Sequence, residues 1–266
     1  MAVIALMMTV SASAQFYIYC SDGIAIKVDS ISMVAPESGG GFSVSAAKQV
    51  TFSKGNLQYN PANKEWRFAP SQLDYIGDAN TNISPIYNGW IDLFGWGTGA
   101  NPTMTSENNI DYHTFVDWGT NNIGNDTPNT WRTLTYNEWE YLLEKRQNAN
   151  ILKGDAEIKG VKGVILLPND WTSPANIIFT PEGGVYTIEE WKQMEQAGAV
   201  FLPASPYRYG TIVHYSWPGG PYENPGRYWT STDSQYEGAA AYMEDLYVDD
   251  DLNRYYGLSV RLVKDL

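Results

Sequence analysis

The chain has 266 residues, 43% of them hydrophobic and 18% charged, with 24 glycines and 14 prolines. That composition suits one large, loop-rich α+β or all-β domain, alone or with a short appendage, rather than a helical bundle or a disordered chain. A formal charge of −13, from 17 Lys and Arg against 30 Asp and Glu, argues against binding nucleic acid or an anionic membrane, because phosphates must be neutralised by cations.

Residues 1–14, MAVIALMMTVSASA, are an apolar run closing on Ala12-Ser13-Ala14. This predicts a secretory signal segment cut before Gln15, although no basic residue leads it, and hence a secreted or cell-surface location. The run is too short for the ~20 helical residues that span a bilayer, so no membrane insertion is expected. Phe16-Tyr17-Ile18-Tyr19 and Ile24 to Val28, around Ser21-Asp22-Gly23, predict a β-hairpin. Pro36 to Gly41 then reads as a flexible linker, giving an N-terminal segment 15–41 and a main domain 42–266. The single cysteine, Cys20, excludes an internal disulfide framework.

Within the main domain, alternation at Phe42-Ser43-Val44-Ser45 and Val50-Thr51-Phe52-Ser53 predicts half-buried strands. Leu57-Gln58-Tyr59 and Trp66-Arg67-Phe68 predict a hairpin. The Gly, Asn, Asp and Thr of residues 77–128 predict long ordered loops held by buried tryptophans. Asp78-Ala79-Asn80-Thr81-Asn82 mimics the start of a calcium loop, but Ile83 and Gly89 replace the glycine and the bidentate glutamate, so it reads as an Asx-rich turn. His113 and His214 stand in no metal-ligand or triad spacing and read as structural.

Thr135-Tyr136-Asn137-Glu138 has capping-box spacing ahead of an apolar stripe of Trp139, Leu142 and Leu143. Thr187 to Glu190 opens a second helix in the same way, with Trp191 and Met194 on one face and Gly198 as its stop. Val164 to Leu167, Val200 to Leu202, Tyr228 to Ser231 and Ser259 to Val263 predict core strands.

The helix segment Trp131-Arg132-Thr133-Leu134-Thr135-Tyr136-Asn137-Glu138-Trp139-Glu140-Tyr141-Leu142 resembles that of the formylglycine-generating and sulfatase-modifying family. The closing stretches Gly226 to Thr232 and Tyr256 to Val263 resemble the last strands of major paralogous (FISUMP-type) domains and are similar to variable proteins of diversity-generating retroelements. The early hairpin, followed by Asp29-Ser30-Ile31, is similar to segments near the start of secreted proteins of Bacteroides-type bacteria. These resemblances imply a C-type-lectin-like α+β fold: two helices packed on short antiparallel sheets, with long ordered loops and a short N-terminal hairpin. They do not imply the oxidase activity, because that chemistry runs on a cysteine pair near the C-terminus and this region has none. Asn169-Asp170-Trp171 and Glu223-Asn224-Pro225 hold residue types used by lectins for calcium and sugar, but in another order, and Asp249-Asp250-Asp251 reads as an acidic turn.

Between the expected C-terminal strands, Tyr, Asp, Asn and Ser dominate, as in the diversified segment of the retroelement proteins. Tyr offers rigid contact area and the short polar residues offer redirectable hydrogen bonds, which together suit a recognition surface. The candidate ligand-binding residues are Tyr236, Tyr242, Glu244, Tyr247, Asp249, Asp251, Asn253 and Tyr255, on one outward face. The expected partner is a protein or a glycan, with no cofactor, no metal and no catalysis. Other readings stay open: an ordinary solvated hairpin, a hydrolase using Glu244 with Asp249, or an envelope assembly protein whose N-terminal hairpin pairs with a partner's sheet edge.

Overall fold

The computed structural model describes residues 40–216, 226–236, 239–244 and 246–266, with backbone alone at residues 239 and 241 and at residues 16–19 and 25–28. It divides into two compact units, Met1–Pro36 and Glu37–Leu266. In the first, β1 (Phe16–Tyr19) and β2 (Ala25–Val28) form the expected hairpin, paired from Phe16↔Val28 to Tyr19↔Ala25. The expected signal segment, Cys20, the Ser21-Asp22-Gly23 turn, residues 29–33 and linker residues 36–39 lie outside the described residues. The last two glycines of the expected linker are part of the packed domain instead. Gly40 is buried, and a β-carbon there would lie 2.1 Å from Pro168 Cβ, so only glycine allows this approach.

The larger unit begins with β3 (Phe42–Ser43) paired to β4 (Gln49–Phe52), followed by the expected hairpin of β5 (Leu57–Asn60) and β6 (Glu65–Phe68). Residues 77–130 follow as loops with short 3₁₀ turns at Gly77–Asn82, Asn109–Tyr112 and Trp118–Thr120. Buried indoles hold them: Trp96 Nε1 donates to Thr230 O at 3.0 Å, Trp131 Nε1 donates to Asp126 at 2.8 Å, and Trp118 packs edge-on against Phe115. The Asx-rich turn is held from within. Asn80 is buried, donates to Asp92 Oδ1 at 2.8 Å and accepts from Asp92 N at 2.9 Å.

Helix α1 (Tyr136–Glu140) opens on the expected capping box, Glu138 N donating to Thr135 Oγ1 and Thr135 N to Glu138 Oε2. It runs on through a π turn, Tyr141–Lys145, which keeps Leu142 and Leu143 buried beside Trp139. Arg132 grips Glu138 with both Nη atoms at 2.8 Å and reaches Asp265, while Lys48 closes the cluster from the other side. Four strands then form one sheet in the order β10-β8-β7-β9, where β7 is Lys153–Ile158, β8 Val161–Leu166, β9 Gly184–Tyr186 and β10 Val200–Pro203. Helix α2 (Ile188–Gln196) buries Trp191 and Met194 in the core cluster that contains Ile165 and Phe201, and Gly198 follows with φ +97°.

After the hairpin β11 (Tyr207–Tyr209) and β12 (Ile212–His214) comes the C-terminal sheet of β13 (Arg227–Asp233), β14 (Ala239–Glu244) and β15 (Tyr247–Asn253). The final strand β16 (Val263–Asp265) returns to β4, giving the order β16-β4-β3. The expected strand from Ser259 to Val263 is extended and buried but is not a regular ladder. It serves several neighbours singly, with Val260 O accepting from Leu57 N and Leu262 O from Ser53 N, both at 2.9 Å. The acidic triplet Asp249-Asp250-Asp251, expected as a turn, lies inside strand β15. The protein is thus α+β: mainly short antiparallel sheets with few helices. Among the described residues no helix is long and apolar enough to cross a membrane.

Candidate ligand-binding face

The C-terminal sheet is built in register from Arg227↔Glu244, Tyr228↔Met243 and Trp229↔Tyr242 on one side of β14, and Glu244↔Tyr247, Met243↔Val248 and Tyr242↔Asp249 on the other. Successive side chains alternate between faces. Tyr228, Met243 and Val248 therefore turn towards the cluster that contains Trp139 of α1, while Trp229 and Tyr242 enter the tryptophan-rich cluster with Trp96 and Trp118. The register shifts between Ala240 and Tyr242, where β15 carries an extra residue within its aspartates. Such a bulge re-aims side chains.

This register divides the eight candidate residues and corrects two of them. Tyr242 is 6% exposed and sits in the core, its hydroxyl 3.4 Å from Asp251 Oδ1. Burial, and after it Glu244, Asp251 and Asp249, push its phenol far above the ordinary value. Glu244 is 8% exposed and forms a 2.6 Å ion pair with Arg227. Neither is a contact residue: β14 is the middle strand, with a neighbour along each edge and a core cluster on each face.

The remaining six lie at the surface or half-buried. Tyr247 is 46% exposed, and burial together with the hydrogen bond it donates to Glu244 pushes its phenol up to about 12. Asp249 is half-buried and accepts from Asp250 N, and Asp251 is exposed. Asn253, half-buried, accepts from Asn109 Nδ2 at 2.7 Å and so ties the end of β15 to the loop at residues 109–113. Tyr255 is half-buried, edge-on to Tyr209 at 5.4 Å and 4.9 Å from Tyr256. Tyr256 in turn meets Tyr207 edge-on, and Tyr207 stacks on His214 at 5.1 Å.

Tyr236 is 54% exposed at the β13 to β14 turn and stands on the rim of a cleft of about 510 Å³. Beside it are Ser234 and Gln235; across from it are Asn109, Ile110 and His113, with Arg254 also in the wall. Ile110 is 73% exposed. His113 Nδ1 is 2.8 Å from Ile110 O, which fixes the ring in the loop. Arg254 is ion-paired with Asp233 and lies 4.9 Å over the Trp96 ring, so its charge is already balanced. The cleft therefore presents two apolar side chains and several neutral hydrogen-bonding groups.

Sequence reasoning does not reach the 109–113 side of this cleft. The signal available is Ile110, a lone apolar residue in the polar run Glu107-Asn108-Asn109-Ile110-Asp111, and it is ambiguous because such a residue is as often buried. Among the described residues no cluster of His, Cys, Asp or Glu is placed to hold a metal ion. Asn169, in one of the lectin-like tripeptides, instead ties β3 to the loop after β8, through bonds with Ser43 N and Oγ. The other, Glu223-Asn224-Pro225, lies outside the described residues, as do Glu237, Gly238 and Asp245. No family model, curated protein or solved structure matches the chain.

Proposed function

We propose that this chain is a secreted or surface-displayed recognition protein on a C-type-lectin-like scaffold, related to the FISUMP-type and retroelement-diversified proteins, that binds a protein or glycan ligand without turning it over. The observation that carries this reading is the pairing of exposed Tyr236 and Ile110 on the rim of a cleft whose other walls are amide, hydroxyl and imidazole groups and the ion-paired Arg254. A rigid aromatic anchor beside neutral hydrogen-bonding groups suits a sugar face or a peptide segment. Firm support comes from beneath: Trp96 and Trp229 hold the sheet through indole bonds to Thr230 O and Phe94 O. Surface residues on such a frame can vary at small cost in stability.

The hydrolase reading has less support. Glu244 is buried and engaged by Arg227 at 2.6 Å, which leaves it no free approach to a substrate beside Asp249. Replacing Tyr236, Tyr247 and Tyr255 together by alanine and probing a glycan array and a surface-protein array tests the binding reading. Loss of the hits supports it, since a single tyrosine hot spot is worth ~2 kcal/mol or more; hits that persist unchanged remove this face from consideration. Diversification predicts a reverse transcriptase gene and an imperfect template copy of the segment from Arg227 to Leu266 nearby.

A further inference from the structure

The π turn of the first helix delivers Arg146 into the interior, where it is only 3% exposed. Its Nη1 donates to Leu167 O at 2.9 Å and to Asn169 Oδ1 at 3.3 Å, and its Nη2 to Leu152 O at 3.1 Å. Each acceptor is neutral, and among the described residues no carboxylate ion-pairs with this guanidinium. Its Nε has no acceptor among them either. Removing a cation from water costs several kcal/mol unless charge and hydrogen bonds compensate, and that desolvation pushes Arg146 down to about 10.

Two other buried arginines set the standard. Arg208 donates to the carbonyls of Leu93, Gly210 and Met104, and Arg261 to Asn56 Oδ1, Ser53 O and Phe201 O, so each of their nitrogens finds an acceptor. Arg146 differs in its unspent Nε–H and in its place, because it forms part of the wall of a polar cleft of about 440 Å³. Ser45, Gln49, Tyr141, Gln147 and Asn148 share that wall. All can donate hydrogen bonds, and the cleft has no carboxylate in its lining, in a chain with 30 acidic residues against 17 basic ones.

We propose that this cleft is an oxyanion site, taking a carboxylate, sulfate or phosphate group whose oxygens accept from the wall's hydroxyl and amide donors. Arg146 supplies the neutralising charge from within the wall, while its enclosed Nε–H senses the anion without bonding it. The site shares no residue with the Tyr236 cleft, so the inference does not depend on the proposed function.

The test follows the Arg146 Nε–H signal of ¹⁵N-labelled protein by NMR during separate titrations with sodium phosphate, sodium sulfate and sodium acetate, at ionic strength held constant with sodium chloride. A saturable shift with at least one anion is expected. Response to phosphate or sulfate alone assigns a tetrahedral oxyanion, and response to acetate alone assigns a carboxylate. Gln147→Glu, at an exposed position compatible with folding, sets a competing charge at the rim and is expected to weaken binding by roughly tenfold. Shifts that stay linear for all three anions, or that are identical in Gln147→Glu, would make Arg146 an internal brace only and overturn the proposal.

Discussion

Tyr236 and Tyr242 sit six residues apart in one stretch of tyrosines, acids and small polar residues, yet one is a rim residue and the other lies in the core. Glu244 and Asp251 make the same contrast among the acids, buried and exposed. What separates them is strand order rather than residue type. β14 is flanked by β13 and β15, and its side chains reach a core cluster on either face. β13 and β15 are the two edge strands; β13 is buried over residues 227–230, whereas β15 is exposed at Tyr247 and Asp251, and Tyr236 stands in the turn between β13 and β14. In this sheet the described side chains of the middle strand are buried, and the exposed side chains fall on β15 and around the β13 to β14 turn.

The largest effect that tests this division is on stability. Tyr242→Ala empties an aromatic site in the tryptophan-rich core and is expected to destabilise the domain by about 4 kcal/mol, read from urea denaturation. A loss as small as that at an exposed tyrosine would move Tyr242 back to the surface. Glu244→Gln comes next, at about 3 kcal/mol, because it removes one charge from a buried 2.6 Å ion pair. The same assay checks it, and a neutral outcome would mean that the ion pair is solvated.

Much of this frame is legible in the amino-acid order alone. Thr135 with Glu138 and Thr187 with Glu190 specify helix starts because both hydrogen bonds of a capping box are local in sequence, and both boxes form. The hairpin of Leu57 and Phe68 is legible for the same reason. What sequence does not supply is non-local. Alternation alone does not say which strand of a hairpin becomes the middle of a sheet, so Tyr242 and Glu244 stand among the expected exposed residues and prove buried. The aspartates of β15 read as a turn because their polarity outweighs a pairing that only the ladder imposes, through Tyr242↔Asp249 and Ala240↔Leu252 on either side of the bulge. Loop residues Asn109 and Ile110 reach the face through Asn253, 144 positions away from Asn109 in sequence.

A second buried carboxylate sharpens the contrast through pH. Asp92 is fully buried and, unlike Glu244, is held by neutral donors, Ile76 N and Asn80 Nδ2, each at 2.8 Å. Burial pushes it up from 3.8 to about 6 despite those bonds. A carboxyl group that holds its proton more tightly when folded contributes stability below its unfolded value, and that contribution is lost as pH rises through the folded one. Between about pH 4 and 6 the wild type is therefore expected to lose stability relative to Asp92→Asn, by about 2–3 kcal/mol in total. The variant's fixed cost from a lost acceptor cancels in that comparison. Urea midpoints measured across this range check it, and two parallel curves would mean that Asp92 titrates alike in the folded and unfolded chains.

The smallest expected effect is at the rim. Tyr236→Ala removes a side chain that is 54% exposed and whose hydroxyl forms no hydrogen bond among the described residues, so its stability change is expected to stay within about 0.5 kcal/mol. Tyr247→Phe tests the border between the two classes. It keeps the ring but removes the hydroxyl that donates to Glu244, and a net hydrogen bond to a charged group is worth about 1.5–3 kcal/mol when buried and less at this half-exposed position. A cost clearly above that of Tyr236→Ala is therefore expected from urea denaturation. Equal costs would mean that Glu244 draws its support from Arg227 alone, and that Tyr247, already on the candidate face, has no structural role there.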